Sequence, residues 1–172
     1  MFVERMQRVL QIENEFESFD ENRLFELTDG TLWIQDEYKY AYHYAYRPQV
    51  MLQMGNDGRT RLRVSGMADA VAAREVSVVT RSRINDEFHG WDGETEYELQ
   101  NGQIWRQVRY KYKYKYSFAP EVLIYQDRGR HHIHVAGTTA EVIRKRLSDC
   151  CRRFLRPQIL VKWRLLPRSD WR

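Results

Sequence analysis

The sequence predicts a mainly β protein built from two related copies of one unit. A stretch that begins at Leu27 recurs at Leu99, and the two keep a constant offset of 72 residues. Each copy contains an Asx-Gly dipeptide between alternating apolar residues, which is typical of a β-hairpin, and then a long alternation of tyrosines. We therefore expect two tandem small SH3-like barrels, or strongly bent antiparallel meanders, packed together.

The repeat also sets the predicted domain organisation of the 172 residues. Neither copy alone would bury a large core, so the copies should pack against each other. The first module spans residues 1–81, with its core in 10–80, and the second spans 82–147. A basic extension at 148–172 has no counterpart in the first copy. Within it, Gln158–Leu166 resembles one extra strand because it alternates between Pro157 and Pro167.

The opening of each copy supplies predicted core positions and a turn. Residues 1–10 fit either a short helix or a lead-in strand. A turn is predicted at Asp92-Gly93 and, without glycine, at residues 20–22 of the first copy. Apolar side chains around these turns recur at the same offset and should be buried, namely Ile12, Phe16, Phe19, Phe25 and Leu27 with Ile84, Phe88, Trp91, Tyr97 and Leu99.

The strongest local signal is a pair of hairpin turns, Asp29-Gly30 and Asn101-Gly102. A two-residue type I′ turn needs positive φ at both central residues, which Asp, Asn and Gly tolerate. We expect that turn type in both copies.

The strand that leaves the second hairpin alternates from Gln103 to Phe118 without a break. If straight, it would be about 50 Å long, although a 70-residue domain has a radius of gyration of only ~11 Å. The strand must therefore bend. If Trp105 is buried together with the tyrosines, one extra residue is required near residues 107–109.

Each copy is expected to close with a further hairpin. Strands follow Pro48 and Pro120, and turns at 55–58 and 127–129 lead into the next strands. The last segments, at 67–76 and 138–147, fit a helical turn followed by a closing strand.

The stretch from Asp92 to Tyr125 resembles small proteins encoded by mobile integron gene cassettes and their bacterial relatives. The resemblance is carried by the pattern NGQxWxQ followed by alternating tyrosines, and it covers the second copy from about Arg83 to Leu147. The first copy departs from it at Thr31, Ala41 and Ala45. The resemblance implies a repeated unit but no activity, cofactor or catalytic residue.

Composition and charge limit the classes of partner. With 42% hydrophobic and 30% charged residues the chain is typical of a soluble globular protein. No apolar run would span a membrane, so we expect a cytoplasmic protein without a membrane partner. Residues 144–172 carry a balance of +8, so the repeated body is mildly acidic at −4. Cys150 and Cys151 are adjacent and are expected to be reduced thiols.

The tyrosine strands are the candidate site, and they allow two interpretations. Aromatic side chains interleaved with lysines could stack on bases while the cations meet phosphates. Alternatively the tyrosines pack a small core or the contact between copies, and the lysines are solvated; this structural interpretation is favoured. The candidate binding residues are Tyr38, Tyr40, Tyr42, Tyr44, Tyr110, Lys111, Tyr112, Lys113, Tyr114, Lys115, Arg152 and Arg153.

Other motifs favour neither catalysis nor a metal site. His132 and His134 would share a strand face, but no acidic or Cys partner lies at a fixed spacing, so no metal or cofactor is predicted. No nucleophile elbow, zinc motif or phosphate loop is present, and we predict no catalytic residue.

The predicted function is a non-enzymatic binding or assembly module. Self-association, or binding of another protein through the aromatic strands, is placed first. Single-stranded nucleic-acid binding through the Tyr/Lys strands and the Arg-rich extension is the alternative.

Overall fold

A computed structural model of the chain describes residues 8–145. That part is mainly β, with antiparallel strands and no helix. The predicted extra strand at Gln158–Leu166, the two cysteines and residues 1–7 lie outside the described residues. Within them, the lead-in segment is a strand from Arg8 onward.

The first copy contributes seven strands and then runs into a long eighth. They are β1 (Arg8–Gln11), β2 (Glu15–Phe19), β3 (Leu24–Glu26), β4 (Leu32–Gln35), β5 (Ala41–Tyr46), β6 (Gln49–Met54), β7 (Thr60–Val64) and β8 (Ala70–Arg83). The second copy continues with β9 (Glu87–Trp91), β10 (Glu96–Glu98), β11 (Ile104–Gln107), β12 (Lys113–Phe118), β13 (Glu121–Asp127), β14 (Arg130–Val135) and β15 (Thr138–Lys145).

The two copies pair their strands in the same order. In the first copy the order is β1-β6-β7-β8-β4-β3, and in the second it is β8-β13-β14-β15-β11-β10. A separate two-stranded sheet lies in each copy, β2 with β5 and β9 with β12, and each contains one register shift. The other strands of the two copies together form one eleven-stranded sheet that does not close into a barrel.

The strand β8 belongs to both copies. Its first half pairs with β7 and β4, and its second half pairs with β13. The predicted division between residues 81 and 82 therefore falls inside one continuous strand. A single strand that completes one unit and opens the next leaves no linker between them.

Each copy has its own buried cluster, built from the predicted positions. Ile12, Phe16 and Phe25 lie in the first cluster, whereas Phe88, Trp91 and Tyr97 lie in the second. All ten aligned apolar residues are buried, so that prediction is confirmed. Phe16 and Phe19 meet edge-to-face at 5.3 Å, as do Phe88 and Trp91 at 5.0 Å.

A third cluster joins the copies, and we call it the seam. Leu32, Ile34 and Val76 of the first copy pack against Tyr125 of the second, with Leu24 and Leu123 at the margin. Ion pairs border the seam: Arg74 contacts Asp127 at 2.7 Å and Asp36 at 3.3 Å. The expectation that the copies pack together is met by this apolar contact.

The hairpins between β3 and β4, and between β10 and β11, are present, but the predicted turn type is wrong. Only the glycine of each pair has positive φ, 82° at Gly30 and 77° at Gly102. The Gly30 amide donates to the Leu27 carbonyl, and the Leu27 amide donates to the Thr31 carbonyl. This is a type I turn followed by a glycine bulge. Asp29 is held out of positive φ because its carboxylate accepts hydrogen bonds from Thr31.

The predicted helical turns before the closing strands are also wrong. Residues 70–83 and 138–145 are strands along their whole length. Both strands are hydrogen-bonded on two sides, to β7 and β4 or to β14 and β11. Two complete ladders outweigh the helix propensity of the alanines, and the β-branched residues between them favour a strand.

Replacing Tyr125 at the seam should destabilise the protein far more than the same change at its repeat equivalent. The Tyr125 side chain is fully buried and stacks on His132 at 5.3 Å, whereas Gln53 is half-buried. We expect Tyr125→Ala to lower the free energy of unfolding by about 3 kcal/mol and Gln53→Ala by less than about 0.5 kcal/mol. Urea denaturation measures both, and equal losses would contradict the assignment of the seam.

Stability should fall at alkaline pH because two phenols are buried. Burial raises the pKa of Tyr97 and of Tyr125 to about 12, whereas an unfolded tyrosine ionises near pH 10. Their contribution is therefore complete below about pH 10 and is lost as the pH rises toward about 12. Urea midpoints measured from pH 9 upward should decline less steeply in a Tyr97→Phe/Tyr125→Phe variant. An identical decline in both proteins would refute the prediction.

Candidate binding surface

The tyrosines of the candidate site lie on the surface of the protein. We call Tyr38, Tyr40, Tyr42, Tyr44 and Tyr46 the first ladder, and Tyr110, Tyr112, Tyr114, Tyr116 and Phe118 the second ladder. Their exposed fractions run from 52% at Tyr116 to 82% at Tyr38. The favoured interpretation, in which these tyrosines pack a core or the contact between copies, is therefore wrong. The seam is filled by a different tyrosine, Tyr125.

A buried glutamine in each copy explains this exposure. Gln107 ends β11 and is 2% exposed; its side-chain amide donates to the carbonyls of Arg109 and Lys111 and accepts from the Gly93 amide. Gln35 donates to the carbonyls of Glu37 and Lys39 after β4 and accepts from the Asp20 amide, which follows β2. The chain is thereby turned out of the main sheet. The predicted one-residue irregularity near 107–109 is instead a five-residue break, 108–112.

Gln35 and Gln107 occupy matching positions of the two copies, 72 residues apart, and neither was predicted to have a role. The available signal was a glutamine repeated at the last position before the tyrosines in both copies. Because a buried side-chain amide needs several partners, a repeated glutamine at a strand end can indicate a backbone turn that it holds.

Six of the ten ladder residues lie on two small sheets, and the other four lie in the segments just before β5 and β12. Within the described residues β5 pairs only with β2, and β12 pairs only with β9. The inner face of β5 packs inward through Ala41 and His43, while its tyrosines face solvent. In the second copy β9 approaches β12 closely: a Cβ at Gly90, whose φ is 101°, would collide with the Lys113 carbonyl oxygen. The result is a thin aromatic layer over each core.

A tyrosine–glutamate pair recurs on the two layers. The Tyr116 hydroxyl donates to Glu87 at 3.1 Å, and this hydrogen bond raises the pKa of Tyr116. In the first copy the negative charge of Glu15 raises the pKa of Tyr44. The His89 ring also lies against Tyr116, with 5.6 Å between ring centroids. The ladders thus combine aromatic faces with hydrogen-bonding tips.

The three lysines of the second ladder differ in environment. Lys111 donates to the Thr139 carbonyl at 2.7 Å, and partial burial together with the charge of Lys113 lowers its pKa. Lys113 and Lys115 are exposed and make no ion pair within residues 8–145. Lys111 is therefore a positioning residue for the 108–112 break, and the other two remain accessible. Arg152 and Arg153 lie outside the described residues.

The histidines of β14 contact neighbouring side chains of the protein. His132 stacks on Tyr125, and Nδ1 of His134 lies 2.9 Å from the Thr139 hydroxyl. Burial lowers the pKa of both imidazoles. No group of three or more potential metal ligands occurs among residues 8–145. In the same part of the chain, no helix is long and apolar enough to cross a membrane.

Comparison of the chain with protein-family models, curated proteins and solved structures found no match in any of the three. The candidate site is therefore interpreted from its own geometry alone.

Gln107→Leu should destabilise the second copy because it leaves two carbonyls and one amide without their partner. We expect the free energy of unfolding to fall by at least about 2 kcal/mol, and trypsin to cleave faster after Arg109 and Lys111. Gln126→Leu, at an exposed position of β13, is the matched control and should change neither measurement. Unaltered tryptic cleavage in Gln107→Leu would show that the glutamine does not hold the break.

Proposed function

We propose that the protein is a non-enzymatic binding or assembly module that uses its two aromatic ladders for self-association or for binding another protein. The observation that carries the proposal is the exposure of ten aromatic side chains, of which six lie on β5 and β12 and four lie in the segments just before those strands. Each ladder presents on the order of 500 Å² of aromatic surface. The largest apolar patch on a typical monomer is about 300–600 Å² and is often functional. Two such patches on one chain favour a binding role.

Within residues 8–145, β2, β5, β9 and β12 each pair on one side only, which supports the same proposal. An unpaired strand edge offers main-chain donors and acceptors to another strand, and aromatic neighbours add contact area. Tyrosine is also among the residues that contribute most to protein interfaces, because it buries a large area and keeps a polar tip.

The seam itself is a poor route to longer assemblies. At the outer end of the second copy, as far as residues 8–145 show it, the positions equivalent to Leu24, Ile34 and Val76 are occupied by charged residues, Glu96, Arg106 and Lys145. At the free end of the first copy, Gln53 replaces Tyr125. Polar end faces are typical of capping repeats. We therefore expect copies of the protein to associate through the ladders and not through the outer ends.

Single-stranded nucleic-acid binding is the second candidate, and the accessible cations of β12 favour it. Lys113 and Lys115 alternate with Tyr112, Tyr114 and Tyr116, so bases could stack while the ammonium groups meet phosphates. Arg152 and Arg153 would add positive charge. The acidic balance of the repeated body weighs against this candidate.

Two finer statements belong to the same proposal. We propose that each copy is an SH3-like unit, supported by the shared strand order, and that the chain is related to integron-cassette proteins, supported by the NGQxWxQ and tyrosine pattern.

Light scattering at increasing protein concentration tests the first function. A mass that rises with concentration and persists in high salt is expected, since apolar association is not screened. Tyr42→Ser together with Tyr114→Ser should weaken association by more than about tenfold. Val79→Ser, an exposed change on β8, is the control that should leave the mass unaltered.

A titration with a fluorescent single-stranded oligonucleotide at two salt concentrations separates the candidates. A monomer that binds at low salt and releases at high salt, because counterions are released on binding, would favour nucleic acid. Lys113→Glu and Arg153→Glu should then abolish that binding. A monomer that ignores the oligonucleotide would exclude self-association and nucleic-acid binding together.

A further inference from the structure

A cleft in the second copy is lined by β9, β10 and residues of the second ladder. Its volume is about 570 Å³, within the 300–1,000 Å³ of common ligand pockets. Tyr112 and Tyr114 line it and are 72% and 68% exposed. Among residues 8–145 no lysine or arginine lines the cleft, whereas five of its fourteen lining residues are acidic, namely Asp86, Glu87, Asp92, Glu96 and Glu98.

The acidic residues of the cleft are not all neutralised. Three of them have partners, namely Glu87 with His89, Asp92 with Thr95 and Glu96 with Lys145. One oxygen of Asp86 accepts from the Glu87 amide at 2.8 Å. Glu98 is exposed and makes no ion pair within residues 8–145. Negative charge therefore remains available in the cleft at Asp86 and Glu98.

The first copy contains an equivalent cavity, which shows what this lining accepts. Its volume is about 560 Å³, and five of its lining residues are repeat equivalents of residues in the cleft, namely Ile12, Asn14, Glu15, Leu24 and Glu26. Arg81 and Arg83, from the half of β8 that pairs with β13, also line it. Arg81 pairs with Glu26 at 2.7 Å. The first copy thus holds a guanidinium against the carboxylate that is equivalent to Glu98.

The second copy keeps that carboxylate and adds to it. Asp86 replaces Asn14, and Glu96 replaces Leu24, so two more carboxylates line the cleft. Two tyrosine rings line it as well, and the face of an aromatic ring attracts a cation. The cleft is therefore more acidic and more aromatic than the cavity that holds Arg81.

We propose that this cleft binds an arginine side chain of a protein partner, with the guanidinium between a carboxylate and a tyrosine face. A guanidinium forms paired hydrogen bonds with a carboxylate and stacks on aromatic rings, and its aliphatic stem can cover the ring surface. The inference rests on the proposed function, because the cleft shares Tyr112 and Tyr114 with the second ladder, and it adds the chemistry of the partner.

A second copy of this chain does not supply the arginine by repeating the contact between the units. The residues of β1 that are equivalent to Arg81 and Arg83 are Val9 and Gln11. A head-to-tail neighbour would therefore place uncharged side chains at the cleft. We assign the arginine to a different protein for this reason.

Peptide titration of the full chain, followed by NMR, tests the inference. The probe is the acetylated and amidated peptide SVVTRSR, which copies residues 77–83, and the control peptide has citrulline at both arginine positions. Citrulline keeps the shape of arginine but has no charge. The arginine peptide should bind at least about tenfold more tightly and shift the amide signals of Gly90 and Tyr114. Equal affinities of the two peptides, or no binding of the arginine peptide, would overturn the inference.

Two charge-removing double variants locate the binding. Asp86→Asn/Glu98→Gln should weaken binding of the arginine peptide by at least about fivefold, because it removes the carboxylates that lack a cation. Glu75→Gln/Glu94→Gln removes the same charge at exposed positions outside the cleft and should leave the affinity within about twofold of the wild type. Unchanged affinity in the first variant, or equal losses in both, would place the peptide elsewhere and refute the site.

Replacing a tyrosine tests the aromatic side of the site. Tyr114→Leu should weaken binding of the arginine peptide about threefold, since a leucine offers no negative ring face. Tyr42→Leu, the repeat equivalent in the first ladder, is the matched control and should not weaken it. An equal effect of the two changes would contradict a contact between the guanidinium and Tyr114.

Light scattering on the same samples without peptide separates this inference from ladder association. Asp86→Asn/Glu98→Gln leaves every ladder tyrosine in place and should keep the concentration dependence of the wild-type mass. A chain whose mass rises with concentration but that does not bind the arginine peptide would overturn the arginine site alone. A chain that binds the peptide selectively but stays monomeric would support the arginine site and contradict self-association through the ladders.

Discussion

The exposure of the ladders depends on one buried side-chain amide in each copy. Gln35 and Gln107 each donate to two carbonyls in the segment that follows their own strand and accept from one amide in the turn after β2 or β9. Without such a partner those groups would have to remain hydrogen-bonded within the main sheet or face water, because buried main-chain groups are rarely left unpaired. By pairing these groups, the glutamine allows the chain to leave the main sheet sharply. The tyrosines that follow therefore lie on a separate layer.

The shared strand β8 fixes the position of one copy against the other. A linker would let the two units rotate, but a continuous strand fixes the second half of β8 once the first half is paired. The seam residues then need to fit only one arrangement. Leu32 and Tyr125 are accordingly buried at the seam. Their equivalents at the outer ends, Ile104 and Gln53, are more exposed.

The parts of the fold that follow from local pattern and repetition could be predicted. The aligned core residues, the hairpin positions and the closing strands after Pro48 and Pro120 all depend on alternation and turn residues. The face on which the tyrosines lie could not, because period-2 alternation marks one face of a strand without saying whether that face is covered. That outcome was decided by a tertiary contact, the hydrogen bonds of Gln107, and the turn type by a single side chain, Asp29. The sequence thus drew attention to the tyrosines as a candidate site, but it did not predict that they are exposed.

The distribution of charge along the chain bears on the choice between self-association and nucleic-acid binding. The net charge of +4 arises from a basic extension attached to an acidic body, so opposite charges are held on one chain at high effective concentration. Glu15, Glu17, Asp20 and Glu21 line a groove beside the seam, and two exposed lysines, Lys113 and Lys115, line it as well. Because these carboxylates belong to the same chain, they would compete with a nucleic acid for the cations of the extension. Within residues 8–145 the aromatic ladders are exposed, and association through them would require no net charge.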